Sequence, residues 1–145
     1  MKTEKSCGAV VFTKEYNDFK YVIIRSKGGT YGFPKGHVEN NETETETALR
    51  EVFEEVGLKP TLVDGFKETV EYYIPSINVQ KQVVYYLGEY KNQDIVYQKE
   101  ELLNAELYDY NDAIKLFSHQ NNIDLLQKAS EYIERTNNLW KKYYL

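Results

Sequence analysis

The sequence lacks the features that mark secreted and membrane-embedded proteins. It has a single cysteine, Cys7, so an intramolecular disulfide framework is excluded, and we expect a buried free thiol. No run of about eighteen apolar residues is present, so we expect no membrane-spanning helix. The opening residues, MKTEKSCGAVVF, are too short and too polar for a signal peptide, and we expect a cytoplasmic protein.

An excess of positive charge is also lacking, because the formal net charge is −5. A chain with this balance does not attract nucleic acid or phosphate through its overall field. A polyanionic ligand would have to be held locally, by a bound metal, a few lysines or arginines, or a helix N-terminus. The 145 residues, 41% of them hydrophobic, predict one globular domain over residues 1–145.

The order of secondary-structure patterns predicts an α+β fold. The β-branched runs SCGAVVF and FKYVIIR indicate two strands, and the glycine-rich residues 26–41 indicate a loop. Further strands are expected on both sides of Pro75–Ser76, and helices after Asp109 or Asn111 and within residues 122–144, where Leu126, Ala129 and Ile133 would face inward. We therefore expect a mixed sheet sandwiched between helices.

Residues 41–58 predict a helix with one apolar stripe. Four apolar residues follow the helical spacing, namely Leu49, Val52, Phe53 and Val56. Asn41 is expected to cap the first turn, with Glu44 at the third helical position, and Gly57 to end the helix.

An acidic edge follows on the same helix, at Glu51, Glu54 and Glu55. Two carboxylates about 4 Å apart repel by about 4 kcal/mol at an effective dielectric constant near 20. A solvated helix face can tolerate this repulsion by splaying the charges into water. The alternative is a divalent cation such as Mg²⁺, which prefers oxygen ligands and can bind phosphate oxygens.

The wider spacing favours the metal. From Gly36 to Leu58 the chain reads GHVENNETETETALREVFEEVGL. It resembles the signature of the Nudix hydrolases at nine specified positions over 23 residues, which are Gly36, Glu42, Arg50, Glu51, Val52, Glu54, Glu55, Gly57 and Leu58. Members of that family hydrolyse a nucleoside diphosphate linked to another group, with Mg²⁺ or Mn²⁺ and an attacking water.

The resemblance implies a role for each matching residue. The metal ligands would be Glu51, Glu54, Glu55 and the carbonyl group of Gly36, while Arg50 would orient the acids and Glu42 would be structural. A further glutamate outside the signature often supplies a ligand or the catalytic base. Glu101 is our candidate for that role, with its neighbour Glu100 as the alternative, so the expected catalytic group is Arg50, Glu51, Glu54 and Glu101.

A second resemblance concerns the substrate. The segments PKGHVE, GFKETVEYYI and KQVVYYLGEY are similar to those of the asymmetrical diadenosine tetraphosphate hydrolases of animals and archaea. This implies substrate contacts by His37, Tyr72 and Lys81, with Lys35 as a further phosphate-binding cation. A tyrosine could stack on a base, and because Tyr85 and Tyr86 face opposite ways on a strand, only one of them can do so. Our candidate is Tyr86.

We therefore expect Mg²⁺-dependent hydrolysis of diadenosine tetraphosphate to ATP and AMP. The alternatives are a nucleoside triphosphate pyrophosphohydrolase, acting on damaged nucleotides or on RNA 5′ ends, and a non-catalytic nucleotide-sensing domain. The acidic balance argues against an RNA substrate, and the complete set of signature acids argues against a sensor. The sequence leaves open whether the protein is a monomer or a homodimer.

Overall fold

The computed structural model describes the backbone of residues 1–144 and the side chains of residues 1–137. The strands are β1 (Lys2–Glu15), β2 (Asp18–Ser26), β3 (Tyr31–Gly32), β4 (Lys35–His37), β5 (Thr61–Ile74), β6 (Val79–Glu89) and β7 (Leu102–Tyr108). The helices are α1 (Glu44–Val56), α2 (Tyr110–Leu116) and α3 (Gln120–Tyr144), and a 3₁₀ turn spans Pro75–Ile77. Within residues 1–144, every helix lacks either the length or the apolar composition that a bilayer crossing requires.

The seven strands form one mixed sheet. Its main path is β3-β2-β1-β6-β5, with β4 pairing to β1 and β7 pairing to β2. β1 and β6 run parallel, whereas the other pairs are antiparallel. Parallel neighbours need a long connection, and here that connection contains α1.

Helices cover both faces of this sheet, which confirms the predicted α+β class. Alternate residues of a strand point to opposite faces. Accordingly, Ala9 and Val11 of β1 share a buried cluster with Val52 and Val56 of α1. Val10 belongs to the cluster on the other face, together with residues of α2 and α3 such as Ala113, Leu126 and Ala129. We call these the α1 face and the α3 face of the sheet.

Helix α1 begins later than predicted, and its cap is Thr43 rather than Asn41. Thr43 Oγ1 accepts from the Glu46 N–H (3.2 Å) and Glu46 Oε1 accepts from the Thr43 N–H (2.9 Å), a complete capping box. Asn41 instead has a left-handed backbone, with φ of 62°, in the preceding turn. The repeated ETETET segment of residues 42–47 offers the same three-residue spacing to a threonine, and a hydroxyl is well suited to this box.

The predicted apolar stripe of α1 was also partly wrong. Val52 and Val56 are fully buried, but Leu49 and Phe53 are 38% and 50% exposed. The buried face is completed by Thr47 and Ala48 instead. The buried stripe is therefore rotated about the helix axis relative to the predicted one, since successive residues are about 100° apart. A polar residue at position 47 hid this rotation from the periodicity.

The glycine-rich stretch 26–41 is not entirely loop, because it contains β3 and β4. Both strands are too short to show alternation in the sequence. β4 lies against β1 with Gly36 opposite Cys7. This pairing brings the signature glycine to the edge of the central sheet.

Other local predictions are confirmed. Gly57 ends α1 with φ of 72°, and Asp109 caps α2 by accepting from the Asp112 N–H (2.8 Å). The chain breaks between β5 and β6 at the 3₁₀ turn that starts at Pro75. Cys7 is fully buried, as are Leu126, Ala129 and Ile133 of α3.

The capping box gives a test of local stability. Thr43→Ala removes the hydroxyl that accepts from the Glu46 N–H, so we expect the free energy of unfolding to fall by about 1 kcal/mol in urea titrations. Thr43→Ser keeps the hydroxyl and is expected to remain within about 0.5 kcal/mol of the unmodified protein. Equal losses in both variants would show that the cap does not act through this hydroxyl.

Candidate active site

The acidic edge of α1 is divided between buried and exposed carboxylates. The side chain of Glu51 is 12% exposed and that of Glu54 is 49% exposed. Residues four apart lie on one side of a helix, so the side chains of Glu51 and Glu55 are neighbours on the same side of α1. The two form the buried part of the edge, beside β4.

Glu55 is the least compensated of these acids. Its Oε2 atom is buried and has no hydrogen-bond partner. Burial, and then the nearby charge of Glu51, raises the pKa of the Glu55 carboxyl to about 8, although the backbone N–H of Lys35 lowers it. Burial also raises the pKa of Glu51, against the opposing effect of Arg50. A buried carboxylate oxygen without a partner requires a proton or a cation.

Arg50 connects the acids to the loop before the helix. Its guanidinium donates to both oxygens of Glu42 (Nε–Oε2 2.7 Å, Nη2–Oε1 3.0 Å). Nη1 donates to Glu51 Oε1 (2.8 Å) and Glu54 Oε2 (3.1 Å), and Nη2 to the carbonyl oxygen of His37 (2.9 Å). The Arg50 hydrogen bonds hold the pKa of Glu42 down to about 2. Arg50 thus fixes the loop to α1 and orients two of the three acids.

Gly36 makes room for Glu51. A Cβ atom at this position would overlap the Glu51 carboxylate group. The absence of a side chain therefore lets the acid lie directly against β4. Only glycine permits this approach without moving the carboxylate.

The residues fit a divalent cation. The donors are carboxylates and a backbone carbonyl, which are the oxygen ligands that Mg²⁺ and Mn²⁺ accept, and Glu55 Oε2 is an orphaned buried oxygen. Within residues 1–137 no three His, Cys, Asp or Glu side chains yet enclose an ion position. Glu51 and Glu54 each have one oxygen bound to Arg50. Each of the two acids therefore keeps one oxygen that Arg50 does not bind.

The candidate phosphate ligands lie on the α3 face, at the end of the sheet. Strand register places Tyr72 opposite Lys81, and Lys35 and His37 alternate with Gly36 on β4. Lys81 is 8% exposed and Tyr72 is 37% exposed. Burial and the neighbouring charge of Lys81 lower the pKa of Lys35, whereas Glu55 and Glu51 oppose this shift. The backbone N–H of Lys35 binds Glu55, and the Lys35 ammonium group is near Lys81, so the predicted metal ligands and the predicted phosphate ligands are neighbours.

Tyr86 does not belong to that group. It lies opposite Ala9 and Lys67 and packs against the clusters on the α1 face. Lys67 in turn binds Glu44 of α1 (2.8 Å). The alternation of β6 gives the α3 face to Tyr85 instead, which is 4% exposed and meets Phe33 edge to face at 6.0 Å. Tyr72 is thus the exposed aromatic residue of our predicted set at the site.

Glu101 approaches the acidic edge from a separate turn. The Gln98 N–H donates to the carbonyl oxygen of Glu55 (2.9 Å), and the Glu101 N–H donates to the carbonyl oxygen of Gln98 (3.1 Å). The charge of Glu101 is one of the causes that raise the pKa of Glu55. The geometry therefore favours Glu101 over Glu100.

Sequence reasoning missed one charged residue at the site. Glu4 lies opposite Lys81 on β1, and its Oε2 atom is 3.3 Å from Lys81 Nζ. The pairing of β1 with β6 brings together residues 77 positions apart, and no local sequence pattern predicts such a pairing. An acidic residue two positions before the first apolar run was the only available signal.

The chain belongs to the Nudix family: the model of the NUDIX domain matches residues 3–129. It is a Nudix hydrolase, a class that generally uses divalent metal cations.

The matched proteins include asymmetrical bis(5′-nucleosyl)-tetraphosphatases. The chain is 29% identical to that of Sus scrofa over 102 residues, which cover 63% of this chain and 68% of the relative. It is 28% identical to that of Caenorhabditis elegans over 134 residues, or 89% and 96% of the two chains. A crystal structure of the C. elegans Ap4A hydrolase binary complex superposes with a TM-score of 0.83 and 26% identity, covering 90% of this chain and 98% of the other.

The contact between Gly36 and Glu51 predicts a defect in metal binding with little loss of fold. Gly36→Ala should displace the flexible end of Glu51, and we expect Mn²⁺ affinity to fall about 10–100-fold in calorimetry. The matched control is Gly32→Ala, whose new Cβ atom would meet only Asn122 Nδ2 at 3.9 Å. Unchanged Mn²⁺ affinity in Gly36→Ala would contradict the placement of Glu51 at the metal.

The buried carboxyl of Glu55 predicts a pH-dependent stability. Between pH 4.5 and about 8 the unfolded chain has lost this proton while the folded chain retains it. The folded state then binds more protons, so stability falls as pH rises through this window. Without divalent ions, the unmodified protein should lose about 2–4 kcal/mol more than Glu55→Gln between pH 5 and pH 8, since one pKa unit corresponds to about 1.4 kcal/mol.

Urea unfolding in EDTA at the two pH values measures this difference. Glu134→Gln, on the exposed side of α3, is the control and should follow the unmodified protein. Parallel pH profiles for the unmodified protein and Glu55→Gln would show that the Glu55 proton is not retained.

Proposed function

We propose that the protein is a Mg²⁺-dependent hydrolase that cleaves diadenosine tetraphosphate asymmetrically to ATP and AMP. The observation that carries this proposal is the place of Lys35, whose backbone N–H binds Glu55 of the acidic edge and whose position on β4 puts it on the same face of the sheet as Lys81. A metal-binding acidic edge and a phosphate-binding lysine pair are thereby contiguous. The similarity to asymmetrical bis(5′-nucleosyl)-tetraphosphatases supports this choice of substrate.

The acids prepare the reaction centre. Glu51, Glu54, Glu55 and the carbonyl of Gly36 would hold Mg²⁺, which neutralises phosphate charge and favours attack at phosphorus. Arg50 keeps Glu51 and Glu54 in place through hydrogen bonds of 2.8 and 3.1 Å. The cation would offset the excess negative charge of this edge and so allow an anionic phosphate chain to approach it.

The α3 face holds the rest of the substrate. Lys35 and Lys81 bind phosphate oxygens as point charges, and His37 is exposed on β4 within the same group. Tyr72 presents a partly exposed ring beside Lys81. Base stacking on such a ring contributes about 1–3 kcal/mol.

The bond changes follow from this placement. Water attacks a phosphorus atom in line, an O–P bond forms, and the bridging P–O bond to the leaving phosphate chain breaks. One proton of the water passes to a glutamate at the acidic edge, where Glu54 and Glu101 are the solvent-accessible members. The leaving chain departs with its charge neutralised by the lysines.

The decisive experiment compares substrates and one variant. The unmodified protein with Mg²⁺ should cleave diadenosine tetraphosphate faster than nucleoside triphosphates or triphosphorylated RNA, and label from ¹⁸O-water should enter one product only. Glu54→Gln should lower kcat by about 100-fold or more, because it removes a candidate base and metal ligand. Glu134→Gln is the control and should retain activity.

The product pattern decides between the alternatives. Faster pyrophosphate release from a triphosphate would assign the protein to the triphosphate pyrophosphohydrolases. If the unmodified protein and Glu54→Gln both show negligible turnover of every substrate, the result would support the alternative of a non-catalytic nucleotide-sensing domain.

A further inference from the structure

Lys81 is a nearly buried lysine whose counterion belongs to another strand. It is 8% exposed, and its Nζ atom is 3.3 Å from Glu4 Oε2. Within residues 1–137, Glu4 is the one acid within 4.0 Å of this ammonium group. A buried charge is costly without a partner, so Glu4 compensates Lys81 when no ligand is bound.

Glu4 occupies the same row as the proposed phosphate contacts. The parallel pairing of β1 with β6 puts Glu4 opposite Lys81, and the antiparallel pairing of β6 with β5 puts Tyr72 on the other side of Lys81. Side chains at directly paired positions point to the same face. A carboxylate therefore stands beside the lysine at the position where a polyphosphate would arrive.

The positive charge around Glu4 exceeds its own charge. The Lys2 Nζ atom is 3.8 Å from Glu4 Oε1, and Lys35 is close enough to Lys81 for the two ammonium groups to repel each other. Glu4 offsets part of that repulsion. A ligand phosphate would do the same and would be a rival acceptor for the three donors of Lys81.

We propose that Glu4 competes with the phosphate chain for Lys81 and so weakens the binding of polyphosphates. This inference rests on the proposed function, in which Lys81 contacts phosphate. An ammonium group can accept both partners at once, but the carboxylate and the phosphate then repel each other across it. Weaker binding of the phosphate chain also makes release of the product ATP easier, because the negatively charged phosphates of ATP are repelled by Glu4.

Calorimetry with the β,γ-methylene analogue of ATP tests this competition in excess Mg²⁺. Glu4→Gln keeps the side-chain shape and removes the charge, and we expect its Kd to fall about 3–5-fold at low salt, or about 0.6–1 kcal/mol. The difference should vanish at high salt, because screening weakens a partly exposed charge. Glu4→Asp keeps the charge and should bind like the unmodified protein.

In steady state with diadenosine tetraphosphate, Glu4→Gln should lower KM without raising kcat.

The variants separate the two ideas. If Glu4→Gln binds the analogue equally or more weakly while Lys81→Met binds it more weakly, the role of Glu4 is overturned and the phosphate contact of Lys81 stands. If Lys81→Met binds as tightly as the unmodified protein, the phosphate contact itself fails and the role of Glu4 fails with it. Thermal unfolding of each variant shows whether a change in Kd reflects the charge or a loss of fold.

Discussion

The close approach of Glu51 and Glu55 to β4 is the constraint on which the rest of the site depends. Two carboxylates on adjacent turns are buried against a strand, where the pKa values of both are raised. Burying like charges is unfavourable unless something of opposite charge accompanies them. Arg50 supplies part of that charge from the helix itself, and Glu55 Oε2 remains without a partner. The site is therefore strained electrostatically in a direction that a divalent cation relieves.

The backbone of β4 makes the burial of these acids sterically possible. Gly36 leaves space for the Glu51 carboxylate, and the three-residue strand β4 fixes Gly36 to Cys7 of β1. On the same short strand, Lys35 is on the α3 face, which also carries Lys81. One three-residue strand therefore joins the helix acids on one side of the sheet to the lysines proposed to bind phosphate on the other. Neither group would define a phosphoanhydride site alone.

The sequence predicted the fold class and the family. The signature spacing is local, so it could be matched residue by residue from Gly36 to Leu58, and the order of strands and helices predicted the mixed α+β fold that the structure confirms. The faces of the sheet were not predictable to the same degree. Tyr86 is on the α1 face, away from Lys81 and Tyr72, because strand parity depends on register, and one residue of difference transfers a side chain to the other face. The roles of the individual site residues remain predictions.

Long-range pairing was beyond the sequence altogether. Glu4 and Lys81 become neighbours only because β1 and β6 run parallel after a connection that includes α1. The apolar stripe of α1 shows a milder form of the same difficulty, since Thr47 is buried and Leu49 and Phe53 are not. In each case tertiary contacts, rather than local propensity, decide which side of an element is buried.

The overall charge of −5 is compatible with a polyanionic substrate because the relevant charges act at short range. Bulk attraction is screened beyond about 8–10 Å at physiological salt, so the field of the whole protein contributes little to binding at contact distance. Arg50 neutralises part of the acidic edge, while Lys35 and Lys81, the second of them 8% exposed, are on the α3 face, where we propose that phosphate binds. Partial burial makes these few cations more effective than a larger number on an open surface. Glu4 then sets how much of the Lys81 charge is free to act on a ligand, so affinity is adjusted by a single neighbouring residue without changing the catalytic acids.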